Sequence, residues 1–411
     1  MAVDPLEVPV ISLLAAALDR ETPTRPFVAP SRLVSGRGSR SLIAAELLAV
    51  GAVPDAGCVP VVADANIIAL GLEADVMASL EAAGFEPRLL GGVAGEPTPA
   101  TVAALLDEIG EESVGAVVGI GGGSAMDTAK IIAAATANQL ELTVGLAATT
   151  KLNPPPVVAL MPTTVGTGAE ATAVAMLWHD GVKRIFVHPY LVARVALLDS
   201  ELIAELPPAV IASSGLDAVS HAVESLLSTF ATPMTTVHAS AALETLSRSL
   251  LPAYERQSEA ALAAMLFGSY QAGLALNASV VVGHSLAYTI AARAGLSHGV
   301  TCAMALPYCL AYCRPGAEPQ MRLAAAVTGA GTDAHDLLVW TLALNEALEI
   351  PASLGAVGIS EADLDAMALE CVETYPRPNN PVPLNGASIA RLLARFHDGD
   401  AEAAWQEAGP E

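Results

Sequence analysis

Three histidines and one aspartate have the residue types and the spacing of a metal-ligand set. Asp217 and His221 are four residues apart in an apolar segment, so on an α-helix their side chains lie on one face. His284 and His298 follow in a second apolar stretch. Imidazole nitrogens and a carboxylate oxygen bind divalent first-row metals, and four such ligands leave a position open for substrate. The set predicts a catalytic metal site, because burying several polar groups without a use is costly.

A glycine-rich turn predicts a phosphate-binding site. An apolar segment, residues 114–120, runs into three consecutive glycines, Gly121, Gly122 and Gly123. Glycines let the backbone approach an anion, which the following helix N-terminus and the Ser124 hydroxyl would face. Lys130, about two turns into that helix, would reach a phosphate or extend to solvent. The alternative is a tight turn without a ligand, since the dinucleotide pattern G-x-G-x-x-G is matched only with Ser124 in its last place.

A second polar loop and two acidic residues are candidates for the rest of a nucleotide site. Residues 162–170 follow another apolar segment and contain three threonines, Thr163, Thr164 and Thr167. Loops at the carboxyl ends of parallel strands bind ligands in α/β proteins. An acidic residue about 20 positions after the glycines binds the ribose in many dinucleotide sites, which nominates Glu141. Asp64, at the end of an earlier apolar segment, is a second candidate for the ribose position, and spacing alone does not decide between Asp64 and Glu141.

Alternating strands and helices in the first half predict the frame for these loops. Strand-like segments lie at residues 59–63, 86–90, 114–120, 157–161 and 195–198. Helical patterns lie at residues 70–83, 101–109 and 126–137. This alternation predicts a parallel sheet with helices on both faces, in a Rossmann-like α/β domain.

The second half predicts a different, all-α domain. Residues 209–395 are rich in alanine and leucine, and we expect helices broken by turns at Pro233, Pro252, Pro307 and Pro351. The predicted domains are therefore an N-terminal extension at residues 1–30, a nucleotide-binding domain at 31–207 and a metal-binding domain at 208–411.

Composition and charge exclude several classes of partner. The 411 residues are 53% hydrophobic and 15% charged, which is typical of a globular chain. A net charge of −24 argues against nucleic acid and anionic lipid. The apolar residues 272–292 contain Asn277, His284 and Tyr288, a mixture typical of a metal-lining core helix and not of a membrane span. Five irregularly spaced cysteines and no basic secretory signal predict a cytoplasmic location.

Taken together, these motifs resemble the iron-dependent (group III) alcohol dehydrogenase family. The resemblance runs from about Ser31 to the C-terminus. It rests on residues 121–130, 162–170, 199–202 and 215–224 and on the pairs Gly283-His284 and His298-Gly299. It implies a dehydroquinate synthase-like architecture, with NAD and one divalent metal in the cleft between the two domains, and a homodimer or larger homo-oligomer. The implied metal is Fe²⁺, with Zn²⁺ as the alternative.

The resemblance also implies a role for each candidate residue. The metal ligands are Asp217, His221, His284 and His298. The pyrophosphate lies on Gly122, Gly123 and Ser124, next to Gly121, and the threonine loop places Thr163 and Thr164 beside the nucleotide, with Thr167 as a further contact. Asp127 lies near the nicotinamide. Asp64, and not Glu141, takes the ribose position, where a carboxylate accepts from the 2′-hydroxyl of NAD and repels the 2′-phosphate of NADP.

Two positions depart from the family pattern. Tyr288 stands where many members have a histidine in the path of the alcohol proton, and Ala169 replaces a common serine. A phenol titrating near about 10 is a poor base at neutral pH, so we expect Tyr288 to orient water or donate a hydrogen bond. Asp127 and Tyr288 are the catalytic candidates. Glu224, three residues after His221, either orients that ligand or lies at a surface or an interface.

The predicted activity is reversible hydride transfer between NAD(H) and a small alcohol or aldehyde, with the metal as a Lewis acid on the substrate oxygen. Two alternative activities occur in related proteins of this fold. One is reduction of maleylacetate or a similar oxo-acid, which retention of all four ligands argues against. The other is a dehydroquinate synthase-like lyase reaction, which keeps the hydride within one turnover and leaves NADH unchanged.

Overall fold

The computed structural model describes residues 24–93, 95–256 and 258–408. The chain divides into two units, Val28–Leu206 and Pro207–Glu411, and the described part of Met1–Phe27 belongs with the second. Most of the predicted N-terminal extension lies outside the described residues. At its end, the Phe27 ring stacks on His238 with 5.4 Å between ring centroids.

A six-stranded sheet forms the frame of Val28–Leu206. Its strands are β1 (Arg32–Ser35), β2 (Cys58–Asp64), β3 (Glu86–Val93), β4 (Ala116–Gly121), β5 (Val157–Pro162) and β8 (Val195–Leu198), in the order β1-β8-β5-β4-β2-β3. Every neighbouring pair is parallel, which confirms the predicted fold class. The sequence analysis missed β1 and an antiparallel hairpin of β6 (Val174–His179) and β7 (Val182–Val187).

Helices cover both faces of this sheet. They are α1 (Ile43–Ala49), α2 (Ala65–Leu70), α3 (Ala74–Ala82), α4 (Pro99–Ile109) and α5 (Gly123–Ala137). Alternate side chains of β4 enter two cores: Val118 packs in the core that contains Leu47, and Val117 in the core that contains Ile131. Because both faces are buried, β4 is apolar throughout instead of alternating.

The predicted helix at residues 70–83 corresponds to α3, and the preceding helix α2, which ends at Leu70, was not predicted from the sequence. Gly71 ends α2 in the left-handed conformation, with φ of +67°. Glycine adopts this conformation without a steric penalty, so it closes the first helix and redirects the chain into the second.

The described part of Pro207–Glu411 consists of helices and connecting turns. The helices are α6 (Pro208–Leu227), α7 (Pro233–Arg256), α8 (Glu259–Ala275), α9 (Val282–Ala294), α10 (His298–Thr328), α11 (Ala334–Ala347), α12 (Leu364–Glu373), α13 (Gly386–Asp398) and α14 (Ala401–Glu407). The predicted turns at Pro252 and Pro307 are wrong, because both prolines lie inside helices. The helical turns next to these prolines are buried, as Leu250 and Leu306 show. The free energy gained by this packing exceeds the cost of the backbone hydrogen bond that each proline removes.

The apolar residues 272–292 are likewise broken, since they include the end of α8 and the start of α9. Between the two helices Ser279 has a positive φ of +63°. Among the described residues no single helix meets the length and hydropathy of a membrane span. The pair Glu259–Ala278 and Val282–Ala294 meets both only when joined, and it bends by 109°.

A buried carboxylate ties the start of the first unit to its last strand. Asp199, directly after β8, accepts hydrogen bonds from the backbone N–H groups of Gly38, Arg40 and Glu201 and from the Arg40 guanidinium. The Asp199 side chain is fully buried, and Arg40 also pairs with Glu201. The motif at residues 199–202 is thus a structural connection within this unit.

We expect Asp199→Asn to lower the free energy of unfolding by about 3 kcal/mol, because an amide group would then face donors while Arg40 loses its buried partner. Denaturant unfolding followed by circular dichroism measures the change. The matched control is Glu201→Gln, which removes a half-exposed partner of the same arginine and should cost less than about 1 kcal/mol. Equal losses in the two variants would contradict the assignment.

Candidate active site

Three of the four predicted metal ligands, Asp217, His284 and His298, converge within the helical unit, and His221 lies beside them next to Asp217. Asp217 and His221 lie on α6, His284 lies in the first turn of α9, and His298 begins α10. Asp217 Oδ1 is 3.5 Å from His221 Nε2 and 3.8 Å from Nε2 of both His284 and His298. Ligand atoms about 2.1 Å from one tetrahedral ion are about 3.4 Å apart. The separations therefore suit a single cation.

Two glycines beside the histidines permit this convergence. A Cβ at Gly299 would lie 2.0 Å from the Ser213 backbone oxygen, so only glycine lets the start of α10 approach α6. A Cβ at Gly283 would lie 2.7 Å from Glu224 Oε1, so a larger residue there would displace the Glu224 side chain. The Gly283-His284 and His298-Gly299 pairs therefore combine a ligand with a close helix contact.

A divalent metal fits these residues. Asp217 is 3% exposed, and its Oδ1 has no hydrogen-bond partner in the described part of the chain. An unpaired carboxylate oxygen in the interior is costly, and a cation would compensate it. Nitrogen and oxygen donors together suit Fe²⁺ or Zn²⁺.

The sequence analysis missed one donor in this cluster. Cys302 Sγ lies 3.7 Å from His284 Nε2 and 3.6 Å from His298 Nε2. The donor atoms of Asp217, His284, His298 and Cys302 all lie within 4.8 Å of one another. Cys302 is four residues after His298 on α10, the same helical spacing as in Asp217 and His221, so this signal was present in the sequence.

Glu224 contacts a different ligand from the one considered in the sequence analysis. Its Oε1 lies 2.5 Å from His284 Nδ1, and its Oε2 accepts from the N–H groups of Val281 and His284. Glu224 is 1% exposed, so the alternative of a surface carboxylate is wrong. A carboxylate on Nδ1 holds the imidazole so that Nε2 faces Asp217, as partners of metal ligands do.

We expect Glu224→Gln to weaken metal binding by about 10- to 100-fold, because the amide no longer holds the His284 ring in one orientation with the same strength. Competition against a chromophoric chelator measures the affinity. Glu244→Gln, at an exposed glutamate of α7, is the control and should bind metal as the parent protein does. Unchanged affinity in the Glu224 variant would show that this contact does not position the ligand.

Tyr288 lies next to the ligands, as expected. Its ring stacks on His298 with centroids 5.3 Å apart and meets His284 edge-on at 6.0 Å. The side chain is 2% exposed, and the Arg377 guanidinium lies 5.7 Å from its ring centroid. The phenol is therefore fixed at the cluster by aromatic packing.

In the first unit, the glycine and threonine loops meet at the carboxyl ends of the strands. From β2 the chain passes to β3 on one side and then to β4 on the other, which creates a topological switch point. Asp64 ends β2, and its Oδ2 accepts from Gly122 N at 3.3 Å. Thr163, after β5, donates its N–H to Gly121 O at 2.9 Å. Glu141 is exposed and hydrogen-bonded to Thr143 instead.

The glycines leave a cradle that side chains would fill. A Cβ at Gly121 would lie 2.8 Å from Asp64 Oδ2, and one at Gly123 would lie 2.9 Å from Thr167 Cγ2. At Gly122 the nearest atom would be Thr164 Cγ2, at 3.4 Å. Six of the predicted contacts, the three glycines with Asp64, Thr164 and Thr167, are thus adjacent around one turn.

The start of α5 is suited to an anion. Within the described residues no side chain caps this helix, whose second residue is Ser124. Thr164 Oγ1 is buried and has no hydrogen-bond partner there. Free N–H groups at a helix N-terminus attract a phosphate, so the pyrophosphate of a dinucleotide fits this position.

Lys130 is placed differently from the predicted phosphate ligand. Its Nζ donates to the backbone oxygens of Thr172 and Val174 and to the Thr172 hydroxyl, and the residue is 1% exposed. This geometry argues against a phosphate contact. Asp127, three residues earlier, accepts from Met176 N at 2.9 Å and retains partial exposure.

Burial shifts the pKa values of Lys130 and of two carboxyl groups near it, Asp127 and Glu170. It raises the pKa of Asp127 to about 6 and that of Glu170 to about 7, and it lowers the pKa of Lys130 to about 8. The nearby opposite charges offset part of each shift. Neither carboxylate oxygen of Glu170 has a hydrogen-bond partner among the described residues, so desolvation dominates there.

A carboxyl whose pKa rises on folding stabilises the fold below its ordinary pKa, here 4.5, and loses this contribution as pH rises through about 7. We therefore expect Glu170→Gln to gain stability relative to the parent protein between pH 5 and pH 8, by on the order of 3 kcal/mol. Urea unfolding at both pH values measures it. Glu141→Gln, at an exposed carboxylate, should show no such gain, and parallel pH profiles for Glu170→Gln and the parent would contradict the shift.

A parallel sheet with a glycine cradle and a helical unit with a histidine-aspartate cluster are the features of an enzyme that uses a nucleotide and a metal. Residues 30–200 match the family model described as iron-containing alcohol dehydrogenase. Residues 211–396 match the C-terminal model of the Fe-containing alcohol dehydrogenase family. The chain belongs to the iron-containing alcohol dehydrogenase family.

Individual proteins agree with this assignment. Long-chain-alcohol dehydrogenase 1 of Geobacillus thermodenitrificans is 33% identical over 348 residues, which cover 81% of this chain and 87% of that protein. NAD-dependent methanol dehydrogenase of Bacillus methanolicus is 27% identical over 89% of this chain and 98% of its own length. The crystal structure of a 1,3-propanediol oxidoreductase superposes with a TM-score of 0.83 at 25% identity, covering 91% of this chain and all of the other.

Membership makes the protein an NAD-dependent alcohol dehydrogenase or aldehyde reductase. It also implies a divalent metal, Fe²⁺, in agreement with the donors that meet at Asp217.

Proposed function

We propose that the protein catalyses reversible hydride transfer between NAD(H) and a small alcohol or aldehyde, at a metal held by Asp217, His221, His284 and His298. The observation that carries this proposal is that three imidazoles surround the buried Asp217 Oδ1, which has no hydrogen-bond partner among the residues that the structure describes. A site built only for stability would pair that oxygen with a donor.

A bound divalent metal supplies Lewis-acid chemistry to the substrate oxygen. The protein residues prepare the position for it. Asp217 contributes a negative charge in a buried setting, and Glu224 keeps His284 in one orientation. Tyr288 packs against two ligands, limits access of water and offers a phenolic hydrogen bond to the substrate or a water molecule.

A bound nicotinamide accepts or donates the hydride at its C4 position. In our proposal Gly121, Gly122, Gly123 and the start of α5 hold the pyrophosphate, with Ser124, Thr163, Thr164 and Thr167 around it. Asp64 binds the ribose, and its contact with Gly122 N supports this position beside the glycines. We assign Asp127 to the nicotinamide end and leave Lys130 out of the site, because its ammonium is bonded elsewhere.

We further propose where the two ligands bind, which substrates react and how the protein assembles. The α/β unit binds the nucleotide and the helical unit binds the metal. The substrate is a small alcohol or aldehyde, and the physiological assembly is a homodimer or larger homo-oligomer in the cytoplasm. Five free, buried cysteines are consistent with a reducing compartment.

The test is an assay of NADH and NADPH oxidation with a panel of aldehydes and oxo-acids, on protein freed of metal and then supplied with Fe²⁺ or Zn²⁺. We expect NADH-dependent reduction of aldehydes, loss of activity in chelator and recovery with metal. NADPH should be the poorer donor, because Asp64 repels the 2′-phosphate.

His298→Ala should abolish metal-dependent turnover, whereas His335→Ala, at a histidine paired with Glu402 away from the cluster, should retain it. Full activity without bound metal would refute the proposal. Faster reduction of oxo-acids than of aldehydes would favour the oxo-acid reductase, and substrate loss without net NADH change would favour the lyase.

A further inference from the structure

Cys302 faces the same point as the metal ligands. Its Sγ is 3.7 Å from His284 Nε2 and between 3.6 and 3.7 Å from the two ring nitrogens of His298. The residue is 1% exposed. A sulfur among imidazole nitrogens at these separations is placed as a ligand to a shared ion would be.

We propose that Cys302 is a sulfur ligand of the metal bound by Asp217, His284 and His298. The proposal rests on the ligand assignment in the proposed function and extends it from a nitrogen and oxygen site to a mixed site. The independent support is Asp217 Oδ1, a buried oxygen without a hydrogen-bond partner in the described part of the chain, which points to a cation in the same place.

The other cysteines of this helix are placed differently. Cys309 and Cys313 are buried further along α10, and Cys313 donates from Sγ to Asn380 Oδ1 at 3.5 Å. Among the described residues, Cys302 is the cysteine grouped with the histidine and aspartate donors. Its position one helical turn after His298 places both side chains on the same face.

A sulfur ligand changes which metal the site prefers. Cysteine binds as a thiolate, and its proton passes to solvent as the metal–sulfur bond forms. Thiolate and carboxylate together balance the two positive charges of the ion. Because thiolate is a soft donor, we expect a higher affinity for Zn²⁺ and Co²⁺ than the same site would have without sulfur.

The experiment uses the full chain, freed of metal with a chelator and titrated with Co²⁺ alone. We expect a thiolate-to-cobalt charge-transfer band in the near ultraviolet. Cys302→Ser should lose this band and bind Zn²⁺ about tenfold or more weakly. Cys309→Ser, at a buried cysteine of the same helix outside the cluster, is the matched control and should keep both.

The outcomes separate this proposal from the proposed function. Co²⁺ uptake without the band, or a band that persists in Cys302→Ser, overturns the sulfur ligand and leaves the dehydrogenase proposal intact. No metal uptake overturns both. If Cys302→Ser does not fold, X-ray absorption on the Zn²⁺-loaded parent decides: a zinc–sulfur distance of about 2.3 Å supports the ligand, and a shell of nitrogen and oxygen alone overturns it.

Discussion

The metal cluster of the helical unit depends on one buried carboxylate oxygen, Oδ1 of Asp217, which has no hydrogen-bond donor in the described part of the chain. Asp217 Oδ1 lies among the ring nitrogens of His221, His284 and His298, and burying a carboxylate oxygen that accepts no hydrogen bond is costly. Two features serve this cluster directly: small residues next to the ligands let three helices approach, and Glu224 aligns one imidazole. A cation bound at this position would offset the cost of burying Asp217 Oδ1 and would couple metal binding to folding.

At the proposed nucleotide site in the α/β unit, the unsatisfied groups are hydrogen-bond donors instead of an acceptor. The first turn of α5 lacks a side-chain cap in the described structure, so its N–H groups carry a partial positive charge towards the glycine turn. Asp64 and the threonine loop crowd the same turn so closely that side chains in place of Gly121 or Gly123 would clash. The α/β unit thus presents unsatisfied donors suited to an anion, whereas the helical unit presents an unsatisfied acceptor suited to a cation.

Much of this was readable from the sequence, because local signals were strong. Buried parallel strands are continuous apolar segments, so β2, β3, β4, β5 and β8 were predicted within a few residues. The four predicted metal ligands stood out because polar groups are rare in apolar helices. Weaker signals misled: Pro252 and Pro307 predicted turns, yet burial of the adjacent turns keeps the helix intact at each of these prolines, and the break in α10 falls later, at Ala317.

The sequence by itself determined the fold class, the family and the residue types available for chemistry, since periodicity and short motifs depend on neighbours along the chain. Only the tertiary structure decided which of these groups meet. It directed Lys130 to backbone oxygens, paired Glu224 with His284 and brought Cys302 to the metal ligands. The physical reason is that a side chain's partners depend on how helices pack, and packing joins residues far apart in sequence.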